Sequence, residues 1–456
     1  MRRYVKKQIS GIIESVIKAA NLAKRKTKLG EHEKTLSLLP EMQTALIEVG
    51  SIVESVLGEG CKEVSILEVA CETLYEINES INENSKSKAI SSMQFFLNTI
   101  GKFKEAISYL SEEYEAVFCP YNASMWDSLE SVWLEKIQDP NCTAYVIPVP
   151  YYDKNPDGSF RKVHYEGDRF PSNVSITHYN DYDFEKRHPE EIYIHNPYDE
   201  YNYVTSVHPF FYTSNLKKYT DELVYIPYFV LKEINPKSEK GKKYVEKFVT
   251  TPGVINSDRI VLQSETMKQI YLDILEDWLG KETCKEQRFA DRIVASGSPK
   301  IDKLKRTELE GITIPDEWKH LIYREDGSKR KVIFYNTSIA AMLNSTEDMV
   351  RKIENTLRYF ELQKERVVLL WRPHPLLAAT IESMRPELLE KYNEVVRKYV
   401  NSSWGIYDDS SDLDRAIVVS DAYYGDQSSV VRIYQITGKP IMIQNVKCLV
   451  SEKNKL

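Results

Sequence analysis

The sequence lacks the features that mark several large classes of protein. Its 456 residues contain no apolar run of about 18 or more, so no membrane-spanning helix is expected. The first residues, MRRYVKKQIS, lack the apolar core and small-residue cleavage site of a secretory signal peptide. A basic surplus is also missing, because the formal net charge is −7, and this argues against a general nucleic-acid binder. We therefore expect a cytoplasmic protein that does not bind nucleic acid.

Cysteine is scarce, and no two cysteines form a CxxC pair. The six are Cys61, Cys71, Cys119, Cys142, Cys284 and Cys448. This spacing indicates neither a zinc site nor a disulfide framework, and reduced, buried thiols fit the cytoplasm. No group of His, Asp and Glu has the spacing of metal ligands, so we expect neither a bound metal nor a cofactor.

Two DxD triplets, at residues 181–183 and 412–414, could in principle hold a metal–diphosphate. Both precede a predicted strand, which places them at the edge of the sheet away from the ligand-binding edge. We interpret them as solvated turns.

Length and composition predict a soluble, multidomain protein. Apolar residues make up 42% of the chain and charged residues 28%, values typical of globular proteins. A chain of this length divides into two or three domains. The composition also changes along the chain, which locates the boundaries.

Residues 1–113 contain a single proline, Pro40, and apolar residues that recur at helical spacing, such as Ile13, Val16, Ile17 and Ala20. We predict an all-helical N-terminal region. Its first 28 residues carry nine Lys or Arg and one acidic residue, Glu14. We interpret that charge first as a solvated helix face. The alternative interpretation is peripheral contact with an anionic, inner membrane surface.

From residue 114, short apolar segments alternate with helical ones, which is typical of a parallel sheet covered on both faces. In the first alternating unit, residues 114–298, the predicted strands are 115–119, 144–149, 191–195, 223–229, 258–263 and 292–295, and the polar stretch 151–180 is a long excursion. In the second unit, residues 299–456, they are 331–335, 367–371, 416–420 and 440–443, with helices at 347–362, 386–399 and 428–436. Such sheets bind ligands beyond the carboxyl ends of their strands, so we expect two Rossmann-like domains that face one cleft.

Polar residues follow the predicted strands of the second unit. Asn336 and Thr337 come after one strand, and the segment RPHP, with Arg372 and His374, comes after the next. Arginine can bind a phosphate with two hydrogen bonds, and histidine can donate to a phosphate or move a proton. The alternative for RPHP is a surface turn.

The third polar segment reads GDQSS, and a helical segment follows it. Its residues are Gly425, Asp426, Gln427, Ser428 and Ser429. Glycine permits close approach of a ligand, and a helix N-terminus offers free N–H groups to a phosphate. We predict a phosphate-binding loop here, and plain helix capping is the alternative.

The first alternating unit, residues 114–298, offers two histidines as general bases. His195 ends a predicted strand, and His208 precedes Pro209. His164, His178 and His188 lie in more polar surroundings, and we interpret them as surface residues.

Three of these segments resemble the CDP-glycerol glycerophosphotransferase family of teichoic-acid and polyol-phosphate synthesis. ASGSPKIDKL at residues 295–304 is similar to the family's Gly-x-Pro-Arg-x-Asp segment, WRPHP at 371–375 to its Arg-x-His strand end, and DQSSV at 426–430 to its Asp-Tyr-Ser-Ser loop. The resemblance covers residues 115–445. The family's His-Gly-Thr-Pro motif is absent, and SVHP at 206–209 and IHNP at 194–197 are its nearest substitutes.

The resemblance implies a GT-B fold and a metal-independent transferase. It would move glycerol phosphate, or a related polyol phosphate, from a CDP-linked donor to a hydroxyl of a cell-surface polymer or lipid-linked acceptor. His208 or His195 would take the acceptor proton, and Arg372, His374, Ser428 and Ser429 would hold the diphosphate. Two alternatives stay open: a glycosyltransferase that uses a nucleotide sugar, and a degenerate nucleotide-binding or assembly protein.

Overall fold

The computed structural model describes residues 1–410 and 412–444, without the side chains of residues 308–310. Cys448 lies outside the described residues. The chain forms two compact units. The first comprises residues 1–115 and 140–143, and the second comprises residues 116–139 and the chain from residue 144 onward. The predicted boundary between residues 298 and 299 stays a prediction.

The first compact unit, which contains residues 1–115, is a helical bundle. Its helices are α1 (Arg3–Leu29), α2 (His32–Leu57), α3 (Lys62–Asn82) and α4 (Lys86–Tyr109). Apolar residues at helical spacing, among them Ile9, Ile13 and Val16, are buried in one continuous core. Gly30 ends α1 in the left-handed conformation, with φ of 78°, and its N–H donates to the carbonyl of Thr27. The predicted helical N-terminal region is confirmed.

Part of the basic surplus at the N-terminus is neutralised inside this unit. Lys6 is buried, and its Nζ donates to the carbonyl of Leu110 at 2.5 Å. Arg3 and Lys6 also lie 3.6 and 3.7 Å from carboxylate oxygens of Glu112. No helix among the described residues is long and apolar enough to cross a membrane. Peripheral membrane contact stays a prediction.

The first lobe of the second unit comprises residues 116–139 and 144–298. Its strands, of which β1 and β2 each begin two residues before the lobe's own ranges, are β1 (Tyr114–Cys119), β2 (Cys142–Val146), β3 (Tyr151–Lys154), β4 (Phe160–His164), β5 (Glu191–Ile194), β6 (Thr205–Val207), β7 (Glu222–Tyr225), β8 (Arg259–Leu262) and β9 (Ile293–Ala295). Its helices are α5 (Glu130–Gln138), α6 (Phe184–Arg187), α7 (Thr213–Leu216), α8 (Glu239–Val249), α9 (Pro252–Asn256), α10 (Glu265–Leu279), α11 (Lys281–Glu286) and α12 (Phe289–Arg292).

Six of these strands form a sheet in the order β2-β1-β5-β7-β8-β9, and the registered pairs from β1 to β9 are parallel. The order reverses between β1 and β5, which is the position where open α/β sheets bind ligands. A second sheet has the order β4-β3-β6 and is antiparallel. Its β3–β4 hairpin occupies residues 151–164, the first part of the polar stretch 151–180 that we expected to be a long excursion.

The second lobe comprises the described residues from 299 onward. Its helices are α13 (Pro299–Glu310), α14 (Asp316–Ile322), α15 (Ile339–Glu361), α16 (Leu377–Met384), α17 (Leu389–Val400), α18 (Leu413–Val419) and α19 (Ser429–Gln435). Its strands are β10 (Lys331–Thr337), β11 (Val367–Pro373), β12 (Ile406–Tyr407), β13 (Ala422–Gly425) and β14 (Ile441–Ile443).

These five strands form a parallel sheet in the order β12-β11-β10-β13-β14. This is the strand order of a Rossmann-type sheet, with its reversal between β10 and β13. Alternate residues of β10 enter two separate cores, Phe334 on one face and Tyr335 on the other. The predicted fold class, with two Rossmann-like lobes in the second unit, is confirmed.

One predicted strand and one predicted turn are wrong. Residues 416–420 do not form a strand, because Asp412 caps a helix there by accepting from the N–H of Arg415 at 3.0 Å. The strand lies just beyond, at β13. Asp414 of the second DxD triplet is not a solvated turn residue, because it is buried on α18, 3.7 Å from Lys303. Burial raises the pKa of Asp414.

Candidate functional site

The two lobes of the second unit enclose a cleft of about 870 Å³. That volume lies within the range of small-molecule and cofactor sites. The first lobe contributes the loop after β1 and the β3–β4 hairpin, and the second contributes the loop after β11, α16 and the loop after β12. Polar residues from both lobes therefore face one space. Those with charged or ionisable side chains are Tyr151, Asp153, Arg161, Lys162, His164, Tyr165, Glu166, Arg169, Arg372, His374, Glu382, Tyr392, Tyr407, Asp408 and Asp409.

Arg372 lies at the end of β11, where the strand meets the cleft. Its guanidinium donates to Asp408 Oδ2 at 2.6 Å and to the carbonyl of Ser410 at 2.7 Å. Arg372 and Asp408 are both buried. The structure thus brings Arg372 to the cleft, as the sequence predicted, and also shows that part of its hydrogen-bonding capacity holds the loop after β12 in place.

His374 also lines the cleft and has a defined orientation. Its backbone N–H donates to the carbonyl of Thr337 at 2.9 Å, and its Nδ1 accepts from the N–H of Leu376 at 3.1 Å. Desolvation, and then the charge of Arg372, lower the pKa of His374 to about 4. The ring is therefore neutral near pH 7 and, with Nδ1 as an acceptor, carries its proton on Nε2. His374 can donate a hydrogen bond to an anion.

The first lobe places a second histidine in the cleft. His164 ends β4, and Asp153 lies on the paired strand β3. Nε2 of His164 lies 2.7 Å from Oδ2 of Asp153, and the ring stacks on Tyr151 with centroids 4.9 Å apart. The side chain of His164 is 27% exposed and that of Asp153 is 7% exposed. A buried carboxylate thus holds a partly exposed imidazole at the surface of the cleft.

A carboxylate, Glu166, joins the hairpin to the loop after β1. One oxygen of Glu166 accepts from the hydroxyl of Tyr151 at 2.6 Å, and the other accepts from the N–H of Ala123 at 2.9 Å. Burial, and then the charge of Glu166, raise the pKa of Tyr151 above its ordinary value of 10.0. Tyr151 therefore keeps its proton at neutral pH. This network fixes the first-lobe wall of the cleft.

Two contacts join the hairpin to α16 of the second lobe. Arg161 of β4 forms an ion pair with Glu382, and Ser383 donates to the carbonyl of Lys154 at 3.2 Å. A buried pair joins the lobes elsewhere: Lys300 of α13 donates to Asp127 at 2.5 and 2.6 Å. Lys300 belongs to the segment 295–304 that resembles the family's interdomain motif.

The other predicted donor-binding residues are mainly buried and bonded to one another. Asn336 donates to the carbonyl of Arg372 at 3.0 Å, and Thr337 accepts from the indole of Trp371 at 3.2 Å. Asp426 accepts from the N–H of Ser338 at 2.7 Å and from Lys352 at 2.5 Å. These bonds join the carboxyl ends of β10, β11 and β13.

Gly425 is required by the same packing. Its φ is 147°, and a Cβ at this position would lie 2.3 Å from the carbonyl oxygen of Asn336. Ser428 donates to the side-chain oxygen of Asn336 at 2.9 Å, whereas Gln427 and Ser429 are exposed. Residues 425–429 do not line the cleft described above. Their role in phosphate binding stays a prediction.

His195 lies in the core of the first lobe with 0% exposure. Its Nε2 accepts from the N–H of Tyr121 at 3.2 Å, and its Nδ1 lies 3.0 Å from the hydroxyl of Ser128. Burial lowers the pKa of His195 to about 3. As placed, His195 has no access to a substrate, and the arrangement favours a structural role.

His208 is half-buried and does not line the cleft. Its backbone N–H donates to the carbonyl of Pro150 at 2.8 Å, and its Nδ1 accepts from the N–H of Phe210 at 3.2 Å. The ring therefore caps the short turn that follows β6. His208 remains a predicted base that the structure does not bring to the other candidate residues.

Among the described residues, no group of three or more His, Cys, Asp and Glu side chains is placed to hold a metal ion. Five cysteines are free thiols: Cys61, Cys71, Cys119, Cys142 and Cys284. Burial raises the pKa of the Cys119 thiol, so this thiol is not a nucleophile at neutral pH.

The fold and the cleft define a two-lobed α/β protein of GT-B type. No protein family model matches the chain, and no curated protein matches it. Solved structures that are similar to it include the wall teichoic acid polymerase TagF, with 15% identity over 82% of this chain and 78% of that chain and a TM-score of 0.41. They also include a UDP-GlcNAc 2-epimerase from Neisseria meningitidis bound to UDP-GlcNAc, with 11% identity over 72% of this chain and 81% of that chain and a TM-score of 0.43. At these values, function must be argued from the site itself.

Proposed function

We propose that the chain is a transferase that binds a nucleotide-linked donor in the cleft. It moves glycerol phosphate, or a related polyol phosphate, from a CDP-linked donor to a hydroxyl of a cell-surface polymer or lipid-linked acceptor. The observation that carries the proposal is the meeting of two histidines in one cleft, His374 from the second lobe and His164 from the first. A transfer reaction needs a group that favours departure of the nucleotide and a group that receives the acceptor proton.

The donor side is argued from the loop after β11. His374 is neutral, presents Nε2–H, and lies beside the permanent charge of Arg372. A neutral donor and a cation together stabilise the negative charge that develops on the leaving nucleotide. The WRPHP segment that carries both residues is also the one that resembles the strand end of the CDP-glycerol glycerophosphotransferases. Gln427, Ser428 and Ser429 are the further candidates for phosphate contacts.

The donor is tested by nucleotide release from a panel. CDP-glycerol, CDP-ribitol, UDP-N-acetylglucosamine and GDP-mannose are each incubated with the full chain and a soluble glycerol phosphate oligomer. Release of CMP from a CDP-polyol supports the proposal. Release of UDP or GDP instead would establish a nucleotide-sugar glycosyltransferase. Binding without release from any donor would indicate an assembly protein. Because the proposal invokes no metal, EDTA leaves the rate unchanged.

The site is tested with two alanine variants and one control. His374→Ala removes the Nε2–H donor, and Ser429→Ala tests the predicted phosphate loop. Each is compared with His320→Gln, a change of an exposed histidine outside the cleft. We expect His374→Ala to lower kcat/KM for the donor by about 100-fold, the loss typical of one stabilising donor. Normal binding and turnover in both alanine variants would contradict the site assignment.

A further inference from the structure

The cleft contains a histidine–carboxylate pair that no sequence motif indicated. We propose that His164 is the general base that takes the proton of the acceptor hydroxyl, and that Asp153 positions it. The inference rests on the proposed function, since it needs a hydroxyl acceptor. It replaces the two histidines favoured by sequence, His195 and His208, with one that lines the cleft.

The geometry shows which ring nitrogen of His164 can accept a proton. Asp153 Oδ2 lies 2.7 Å from Nε2 of His164, so the carboxylate holds the proton of the neutral ring on Nε2. Nδ1 is then the unprotonated nitrogen, and among the described residues no hydrogen-bond partner is assigned to it. An imidazole with one nitrogen held by a buried carboxylate and the other bare is prepared to accept a proton.

The pair is held rigidly. Asp153 and His164 lie on paired antiparallel strands, and the imidazole stacks on Tyr151 at an interplanar angle of 17°. Tyr151 is in turn fixed by its hydrogen bond to Glu166. Arg161 also lies 3.5 Å from Asp153, so that carboxylate is shared between a cation and the ring. A base on a supported hairpin keeps a constant orientation toward the cleft.

The other ionisable groups nearby are less suited to accept a proton. Glu166 accepts from Tyr151 and from the N–H of Ala123. Asp408 is bonded to Arg372. The Nδ1 of His374 accepts a backbone N–H, which leaves that ring as a donor. His164 is the remaining histidine among those that line the cleft.

The proposed transfer breaks one P–O bond and forms another. The O–H bond of the acceptor hydroxyl breaks, and its proton passes to Nδ1 of His164. The hydroxyl oxygen forms a bond to the phosphorus of the transferred polyol phosphate. The bond from that phosphorus to the bridging oxygen of CMP breaks, and CMP leaves with the electron pair. The imidazolium that remains on His164 is stabilised by Asp153 and returns its proton to solvent.

The test uses the full chain, with CDP-glycerol as donor and a soluble glycerol phosphate oligomer as acceptor. His164→Gln preserves an N–H that can bond to Asp153, but it removes the base. We expect kcat/KM to fall about 100-fold or more, the usual contribution of general-base catalysis. The dissociation constant for CDP-glycerol and the unfolding temperature change little. His208→Gln tests the base that the sequence predicted, and His320→Gln is the matched control.

A pH profile and chemical rescue separate catalysis from a structural effect. Asp153 and Tyr151 contact the His164 ring, Arg161 and Glu166 contact those two residues, and Glu382 interacts with the ring through its charge. Wild-type kcat/KM should decrease toward acid pH, because a protonated imidazole cannot accept a proton. That decrease should be absent in His164→Gln. Added imidazole should restore part of the rate of His164→Ala, as it would not if the ring were only structural.

The outcomes are distinct. Large losses in His164→Gln with normal CDP-glycerol binding, together with rescue of His164→Ala, support the assignment. A His164→Gln rate within threefold of wild type, or a large loss in His208→Gln instead, would overturn it and leave the proposed function standing. Absence of CMP release by the wild type would overturn the proposed function and, with it, this inference.

Discussion

The ammonium group of Lys352 lies 2.5 Å from the carboxylate of Asp426, and both side chains are buried in the second lobe. The same carboxylate accepts from the N–H of Ser338 at 2.7 Å, where α15 begins. Asp426 therefore joins β13 to α15 through a charge that is already neutralised. This relationship gives Asp426 of the GDQSS segment a packing role that needs no ligand.

We predict that Asp426→Asn destabilises the second unit by about 3–5 kcal/mol, because it leaves the Lys352 ammonium buried without its partner. The double variant Lys352→Met/Asp426→Asn should recover much of this loss, since the charge is gone and the amide oxygen still accepts from Ser338. Urea unfolding of the two single variants and the double variant measures the coupling. Equal stability of Asp426→Asn and wild type would show that the pair is not structural.

Gly425 is predicted to be intolerant of any side chain. Its φ of 147° is strained for other residues, and the backbone of Asn336, which a Cβ would meet at 2.3 Å, cannot move without disturbing β10. We expect Gly425→Ala to cost at least about 2 kcal/mol. Gly438→Ala is the control, because φ there is 67° but the space is open. Its cost should be about 1 kcal/mol. Chemical denaturation that ranks the two equally would contradict the close-approach argument.

The sequence predicted the architecture well where patterns are long. Helical spacing identified the bundle, and the apolar strands β10 and β11 were placed within two residues of their observed ends. The segment AIVVS at residues 416–420 was wrongly predicted to be a strand, because a short apolar run fits a buried strand and a buried helix equally. The cap at Asp412 was the signal that distinguishes them.

The candidate site was only half predictable. Arg372 and His374 lie two residues apart in sequence at the end of a strand, so their position at the cleft could be inferred. Asp153 and His164 are 11 residues apart, and they meet only because β3 and β4 pair in a register that places Tyr151 opposite His164. That register depends on tertiary packing. Polarity alone made the stretch resemble a loop, because neither YYDK at 151–154 nor FRKVH at 160–164 shows the apolar–polar alternation of a strand.

The pair between Arg161 and Glu382 offers a contrast with Lys352 and Asp426. Its side chains are 31% and 41% exposed, so water screens the attraction. We predict that Glu382→Gln changes the free energy of unfolding by less than about 1 kcal/mol, and that the effect decreases further in high salt. Thermal unfolding at low and high salt provides the measurement. A loss as large as that of Asp426→Asn would mean that this contact between the lobes is far stronger than its exposure implies.

His195 should make the first lobe sensitive to acid. Its pKa is lowered by burial from 6.5 to about 3 in the folded protein, so below pH 6.5 the unfolded chain binds a proton that the folded chain does not. The contribution of His195 to the free energy of unfolding is therefore fully present above pH 6.5. It is lost as the pH falls toward 3, by about 1.4 kcal/mol per pH unit. At pH 5 the loss from this group is about 2 kcal/mol.

Asp199 should change stability with pH in the opposite direction. It is a buried carboxyl whose pKa is raised by burial from 3.8 to about 7. Its folded form binds a proton more readily than the unfolded chain, so its contribution to stability is lost as the pH rises from 4 through 7. Urea unfolding between pH 5 and pH 8 should show that His195→Gln flattens the acid loss, whereas Asp199→Asn steepens it. An acid loss in His195→Gln equal to that of wild type would contradict this account, because it would show that folding does not lower the pKa of His195.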